Sequence, residues 1–343
     1  MIAIQILRIE KKKLLVINNQ MKKIKVFEGF AGYGGASFGL KRSGIPYEVV
    51  GYSEIDSDAI ELYEYNFPEV KNYGDITQIK NPKKQLPKFD LFTGGFPCQP
   101  FSTVGKGLGE LDIRGTLFGD IIRVCEAIEP KYILLENVRG LLGKKHRATF
   151  QKILSELKRI GYDVKYAVLN SKDYVIPQTR DRLWIFAYRG ILPENFDIVP
   201  PVIESNLRLK DFLDKHPDPE LYRSEAQIKR IHEIHNNETF DVEEPLCYDI
   251  YNRKIRYDGL CMTVTPPEHN VIRIIEPMVD GKERFRKLSL DEHFRFMGFV
   301  LNENEREIKF PPTQNYTKLG RRAANGWDVN LVGILIKHIF SQL

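Results

Sequence analysis

The stretch IKVFEGFAGYGGASFGLKRSG, residues 24–44, decides how this chain folds. Ile24–Phe30 is a short, largely apolar, β-rich run and reads as a strand. Glycines at 32, 34 and 35 follow at once, and the residues after them read as a helix that opens on those glycines. A strand that turns through glycines into a helix is the first unit of a nucleotide-binding α/β sheet. The glycines permit a tight turn and let a ligand approach the backbone. A plain strand–helix turn would use glycine in the same way, so the loop is read together with what surrounds it.

Outward from that stretch, strand-like and helix-like runs alternate. YEVVGYSE (47–54) reads as a second strand, followed by a helical SDAIELYEYNF. FDLFTGGF, KYILLENV (131–138), DVKYAVLN and RLWIFAYR read as further strands, with helical TLFGDIIRVCEAIEP and FQKILSELKRIGY between them. This alternation predicts an α/β fold built on a doubly wound, mostly parallel, Rossmann-like sheet. After Arg189 the pattern breaks into an irregular insert. IIEPMVDGKERFRKLS then reads as a hairpin turning at Asp280-Gly281. Ser289 with Glu292 forms a capping box for the helix after it, and an amphipathic helix ends the chain. The expected division is an N-terminal extension (1–20), a catalytic body (21–189 and 276–343) and an insert (190–275). Two short apolar runs split by Lys11, Lys12 and Lys13 do not make a signal peptide, and Met21 is a second plausible start.

The chain has 343 residues, 42% hydrophobic and 28% charged, the composition of an ordinary globular protein. A net charge of +5 is compatible with a nucleic-acid partner without requiring one. No run approaches the roughly 18 apolar residues of a membrane span. The four cysteines, Cys98, Cys125, Cys247 and Cys261, make no C-x-x-C pair, which argues against a zinc knuckle, and no metal is expected. So few thiols suggest a reducing, cytoplasmic setting.

Two acids strengthen the glycine loop. Glu54 ends the second strand, where a carboxylate can accept both hydrogen bonds of a ribose. Asp75 is expected near the end of a third strand, at the same carboxyl edge of the sheet. Either acid alone reads as a solvated carboxylate or a helix cap; in sequence after a glycine loop they favour a bound nucleoside. No phosphate-binding lysine follows the loop, so an adenosine-bearing ligand is preferred over ATP. In GGFPCQPFS (94–102), Cys98 lies just past a strand on a proline-constrained turn at that edge. Cys125, within a helix, reads as an inert buried thiol. The glycine-rich STVGKGLGELDIRG that follows Cys98 reads as a flap able to close over a substrate.

Taken together these residues resemble the cytosine-5 DNA methyltransferases of the bacterial and phage modification type, which use S-adenosylmethionine. The resemblance rests on FAGYGG (30–35), Glu54, GDI (74–76), GFPCQPFS (95–102), RGTLF (114–118), ENV (136–138), QTRDR (178–182) and RKLSLDEHFRFMGF (286–299), in the family's order. It implies a Rossmann-like methyltransferase sheet in which Cys98 adds to carbon 6 of a flipped-out cytosine. Glu136 would hydrogen-bond the ring, while one of Arg180 and Arg182 holds the base and the other supports the site. Cofactor contacts are implied at Phe30, Gly32, Gly34, Gly35, Glu54, Ile55, Asp75, Ile76, Pro97, Leu117 and Asn325. Two positions depart from the family: Ile55 stands where relatives often have tryptophan, and Ala324 stands where the last motif has glycine.

The resemblance also makes residues 190–275 a target-recognition domain. Gln99, Ser102, Arg253, Arg256 and Thr263 are the candidate DNA contacts, the last in MTVT (262–265). Arginines there can read guanine edges or merely hold phosphates. The implied partner is double-stranded DNA carrying one short recognition sequence. A monomer is expected, DNA-associated and serving restriction–modification or phage protection, with a cognate endonuclease acting separately. The alternatives are a tRNA cytosine-5 methyltransferase of the same fold and a non-catalytic binding protein. A nicotinamide oxidoreductase shares only the glycine loop.

Overall fold

The computed structural model describes residues 23–97, 116–235, 239–269 and 271–343. The expected extension (1–20), Cys98, Gln99, Ser102 and the glycine-rich flap lie outside the described residues.

The described chain forms two compact units. The first takes the chain through Leu169, with Asp181–Pro201 and Leu331–Leu343. It contains β1 (Ile24–Gly29), α1 (Gly35–Ser43), β2 (Tyr47–Ser53), α2 (Ser57–Asn66), β3 (Leu91–Gly95), α3 (Leu117–Ile128), β4 (Tyr132–Val138), α4 (Arg147–Arg159), β5 (Tyr162–Asn170) and β6 (Asp181–Arg189). Its six strands follow the order β2-β1-β3-β4-β6-β5. β1 runs parallel to β2 and β3, β3 runs parallel to β4, and β6 is antiparallel to β4. The chain winds outward from β1 in both directions, so β1 and β3 flank a switch point whose carboxyl edge is open to a ligand. The predicted doubly wound, mostly parallel sheet is present.

The strands are apolar on both faces because helices cover both, as a parallel sheet requires. Phe27 stacks on Phe89 at 5.2 Å and on Phe92 at 6.2 Å between ring centroids. α3 presents Phe118, Ile121, Ile122 and Cys125 to the same core. Burial pushes the Cys125 thiol far above its ordinary range, which fits the inert role expected of it. Gly29 is forced by packing: a Cβ there would stand 2.6 Å from the Phe92 ring.

The second unit is Asn170–Arg180 with Val202–Asn330. It holds α5 (Glu225–Ile234), β7 (Leu246–Asp249), β8 (Lys254–Arg256), β9 (Ile272–Val279), β10 (Lys282–Arg286), α6 (Leu290–Arg295) and α7 (Tyr316–Asn325); α8 (Val329–Phe340) ends the chain. The insert is more regular than its sequence suggests, forming an antiparallel sheet of order β10-β9-β7-β8. The expected boundary at 275 cuts through β9. That strand pairs with β7 as well as with β10, so the hairpin at Asp280-Gly281 belongs to this second sheet. The capping box is as expected: Ser289 accepts from the Glu292 amide at 3.2 Å and the Glu292 carboxylate accepts from the Ser289 amide at 2.7 Å.

Candidate active site

The glycine loop takes its shape from left-handed backbone at Phe30 (φ 53°), Gly32 (φ 56°) and Gly34 (φ 89°). A phenylalanine in that region is strained, and strain of this kind persists where a ligand site needs it. No atom lies within 4 Å of where a Cβ on Gly32 would stand, so open space faces the loop there.

Glu54 is tied directly to that loop. One carboxylate oxygen accepts from the Gly32 amide at 2.9 Å. The other accepts from the amides of Ile55 and Asp56 at 2.8 and 3.0 Å. Ile55 itself stands 71% exposed at the strand end, a large apolar side chain left facing out. Asn72 bridges the next loop to this one: its side chain accepts from the amides of Glu54 and Gly74 at 3.3 and 2.8 Å and donates to the Glu54 carbonyl at 3.2 Å. Asp75 is not at a strand end. It caps a short helical turn, Ile76–Gln78, by accepting from the Thr77 amide at 2.8 Å, and that amide holds its carboxyl below the usual range. The third strand begins only at Leu91, because Pro82 and the polar run before it favour turns. Arg123 of α3 fixes the turn from behind, donating to the carbonyls of Ile76 and Ile79. Ile76 is buried beneath it, and Leu117 opens α3 behind the Thr116 cap, which accepts from Gly119 at 3.1 Å.

Below the loop sits Glu28, buried on β1. Its carboxylate accepts from the hydroxyls of Ser37 on α1 and Tyr63 on α2, the latter at 3.0 Å. Burial pushes its pKa up from 4.5 to about 7.

Beside the switch point, β4 ends in Glu136, Asn137 and Val138. Gly95 of β3 lies opposite Glu136, so the chain leaves β3 toward Pro97 alongside this acid. Arg182 of β6 is opposite Val138, which puts it diagonally across from Glu136 on one face of the antiparallel pair. Its Nε reaches Glu136 Oε1 at 2.9 Å. Asn137 donates to the Phe96 carbonyl at 2.8 Å and accepts from the Val138 amide at 2.9 Å, with 2% of its surface exposed. It therefore fixes the backbone two residues before Cys98, while Pro97 stands exposed.

In the second unit Arg180 is buried and its Nη2 donates to the carbonyls of Ala324 and Gly326 at 3.0 and 2.7 Å. It grips the backbone on either side of Asn325, whose side chain is exposed. Arg180 and Arg182, read in the sequence as one face of an extended segment, thus have different partners. Arg256 is also committed within the protein. Its guanidinium donates to both Asp258 oxygens and to Thr179 Oγ1. Thr263 Oγ1 donates to the Thr179 carbonyl at 2.6 Å, and Thr179 donates its amide to the Cys261 carbonyl at 2.9 Å. Arg253, by contrast, is exposed at the β7–β8 turn (φ 53°), flanked by Tyr251 and Tyr257 at 83% and 71% exposure. Asn72, Arg123, Asn137 and Thr179 were not found from the sequence. Asn137 and Thr179 had a signal, their places in the ENV and QTRDR runs.

A family model described as C-5 cytosine-specific DNA methylase matches residues 24–341. The Type II methyltransferase M.HaeII of Haemophilus aegyptius is 38% identical over 329 residues, covering 94% of this chain and 95% of that protein. M.HgiCII of Herpetosiphon aurantiacus is 39% identical over 213 residues, or 61% of this chain and 47% of that protein. The chain spans about half the length of M.HgiCII and several other curated relatives that it matches. Among solved structures, a Spodoptera frugiperda DNMT2 mutant aligns with a TM-score of 0.71 at 20% identity, covering 93% of this chain and 100% of that one. At that identity the likeness shows the shared fold. Among the described residues no helix is long and apolar enough to cross a membrane.

Proposed function

Because this chain belongs to the C-5 cytosine-specific DNA methylase family, we propose that it methylates carbon 5 of cytosine in a short, specific sequence of duplex DNA. The observation that carries this reading is the junction of β3 and β4. Glu136, paired with Arg182, stands opposite Gly95, and Asn137 holds the Phe96 carbonyl just ahead of Cys98.

The cofactor of this reading is S-adenosylmethionine. The residues present fit it: a glycine turn faces open space at Gly32, and Glu54 stands beside it with a carboxylate able to take ribose hydroxyls. Phe30, Gly34, Gly35, Ile55, Asp75, Ile76, Pro97, Leu117 and Asn325 complete the proposed contacts. When bound, the cofactor supplies an electrophilic methyl sulfonium.

The chain's own residues then do the following. The Cys98 thiolate adds to carbon 6, forming a C–S bond and moving the ring's electron pair toward carbon 5. Glu136 accepts from the exocyclic amine with one oxygen and, in its protonated form, donates to ring nitrogen 3 with the other, favouring that addition, and Arg182 orients Glu136. After carbon 5 gains the methyl group it loses its proton, the C–S bond breaks, and the pair returns to sulfur as thiolate. The cytosine must leave the stack to reach Cys98. Gln99 and Ser102 contact DNA beside the flipped base, and the second unit selects the sequence, with Arg253, Arg256 and Thr263 its candidate residues. The enzyme acts as a monomer, DNA-associated in the cytoplasm, in restriction–modification or phage protection alongside a separate endonuclease.

Tritiated-methyl transfer to duplex DNA and to tRNA, followed by bisulfite sequencing of DNA from expressing cells, tests this. One methylated sequence in DNA is expected, with activity abolished in Cys98→Ser. Methylation of tRNA alone, or full activity in Cys98→Ser, would overturn it.

A further inference from the structure

The second unit contains a small, open surface recess that none of the proposed contacts uses. Thr265 and Pro266, which end and follow the MTVT segment, form one wall. Arg273 of β9, Lys287 after β10, His293 of α6 and Tyr316 of α7 supply the remaining polar side chains of a wall that is otherwise apolar. Arg223 is not part of the wall but lies on a segment paired with the one that carries Lys287. The Arg223 amide donates to the Phe285 carbonyl at 2.8 Å, and the Lys287 amide donates to the Leu221 carbonyl at 3.0 Å.

The charge around this recess is one-sided. The nearest carboxylates, Glu276 and Glu292, are already committed. Arg286 lies between them, 2.6 Å from Glu276 and 2.7 Å from Glu292. Glu276 also takes Arg284 and the Tyr222 hydroxyl, at 3.1 and 2.8 Å. Glu292 also takes the amides of Asp214 and Ser289, each at 2.7 Å. Glu268, near the wall, is paired with Arg321 at 2.5 Å. Among the described residues no carboxylate pairs with Arg223 or Lys287, and Arg223 Nε is buried without a hydrogen bond. Arg273 is 2% exposed. The electrostatics agree with this inventory. Burial and the neighbouring Arg223 push Arg273 down to about 10, and burial, Arg223 and Arg273 all lower Lys287. Burial pushes His293 down to about 4, so it is neutral and adds no charge. Cations that repel one another around a cavity gain from an anion between them.

We propose that the mouth of this recess binds a phosphate group, namely one backbone phosphate of the DNA substrate, held by Lys287 on the wall, with Arg223 close beside it and Arg273 beneath. The assignment rests on the DNA-methylase reading. Guanidinium forks and an ammonium converging from separate strands suit the several oxygens of a phosphate. A duplex contacting the MTVT segment would carry its backbone past Thr265. Phosphate contacts of this kind fix register and orientation and carry no sequence information of their own.

The test is equilibrium binding of the full chain to a duplex containing its methylated sequence, across a salt series. Lys287→Gln and Arg223→Gln are each compared with wild type. Losing one phosphate contact should make the slope of log K against log salt shallower by about 0.9. Affinity at low salt should fall roughly tenfold, and methylation should remain at the same sequence. A single methylphosphonate placed at successive positions should weaken wild type at one position and leave Lys287→Gln indifferent there. Unchanged slopes in both variants, with wild type still methylating its site, would overturn the proposal and leave the function standing; a wild type that methylates no DNA would sink the function itself. A third arm uses inorganic phosphate without DNA. Phosphate that raises the melting temperature of wild type but not of Lys287→Gln, with salt slopes unchanged, would assign the recess to free phosphate and overturn the backbone assignment.

Discussion

Asn137 offers the sharpest test of how the fold fixes the chain that leaves β3 ahead of the proposed nucleophile, Cys98. It is 2% exposed and makes two hydrogen bonds, to the Phe96 carbonyl at 2.8 Å and from the Val138 amide at 2.9 Å. Asn137→Leu preserves most of the volume and removes both. Each buried group left without its partner costs about 1–3 kcal/mol. The Val138 bond is local to β4, so its loss should appear only in stability. The Phe96 bond fixes the backbone two residues before Cys98, so its loss should also appear in chemistry. If that whole energy is withdrawn from the positioned nucleophile, the methyl-transfer rate falls by about 5- to 150-fold. A displacement of roughly 1 Å at a reacting atom has a cost of the same order. Cofactor affinity should stay within about twofold, because Glu54 and Asn72 brace the glycine loop without Asn137. Single-turnover rapid-quench transfer with tritiated cofactor measures the rate, and calorimetry measures cofactor binding. A rate within threefold of wild type despite the lowered melting temperature would refute the positioning argument. So would cofactor affinity that falls in step with the rate.

Glu136→Gln should reduce methyl transfer by about 10²–10⁴-fold in the same quench assay, and should lower the melting temperature as well, because Arg182 keeps its charge and loses its partner. Glu28, whose carboxyl is raised from 4.5 to about 7, favours folding when protonated. Its stabilisation is full below about pH 4.5 and lost as pH rises through about 7, a change of about 3 kcal/mol; Glu28→Gln should flatten that slope in denaturant titrations. Arg256 and Thr179 share a hydrogen bond, so a Thr179→Val and Arg256→Gln cycle should show a coupling of about 1 kcal/mol in kcat/KM on cognate duplex; additivity would mean that the bond does not matter.

The parts of this molecule that were legible in the sequence are those whose signals are local. The glycine turn after β1, the capping box at Ser289 and the acid closing β4 each depend on residues within a few positions of one another. Asn137 was not legible, because its partner lies 41 residues away and is set by the pairing of Gly95 with Glu136. Thr179 lies within QTRDR, but it meets Thr263 across 84 residues, a contact that no local pattern encodes. Asp75 was misplaced for the opposite reason. The rule that acids gather at strand ends was applied where the chain makes an N-capped turn instead, and the carboxylate reaches the loop edge without a strand beneath it.

The arginine pair shows why spacing alone could not assign roles. At i and i+2 on an extended segment, two side chains share a face only while the strand continues through both. Here β6 begins at Asp181, and Arg180 is the last residue of the second unit's first segment. Arg182, within the strand, is directed by sheet register to Glu136. Arg180, outside it, takes carbonyls 144 and 146 residues along the chain. The same motif therefore does two separate jobs with arginines two positions apart: one braces the acid at the end of β4, and the other closes the backbone around Asn325. Arg180 uses only the Ala324 carbonyl, an acceptor that the methyl side chain does not alter.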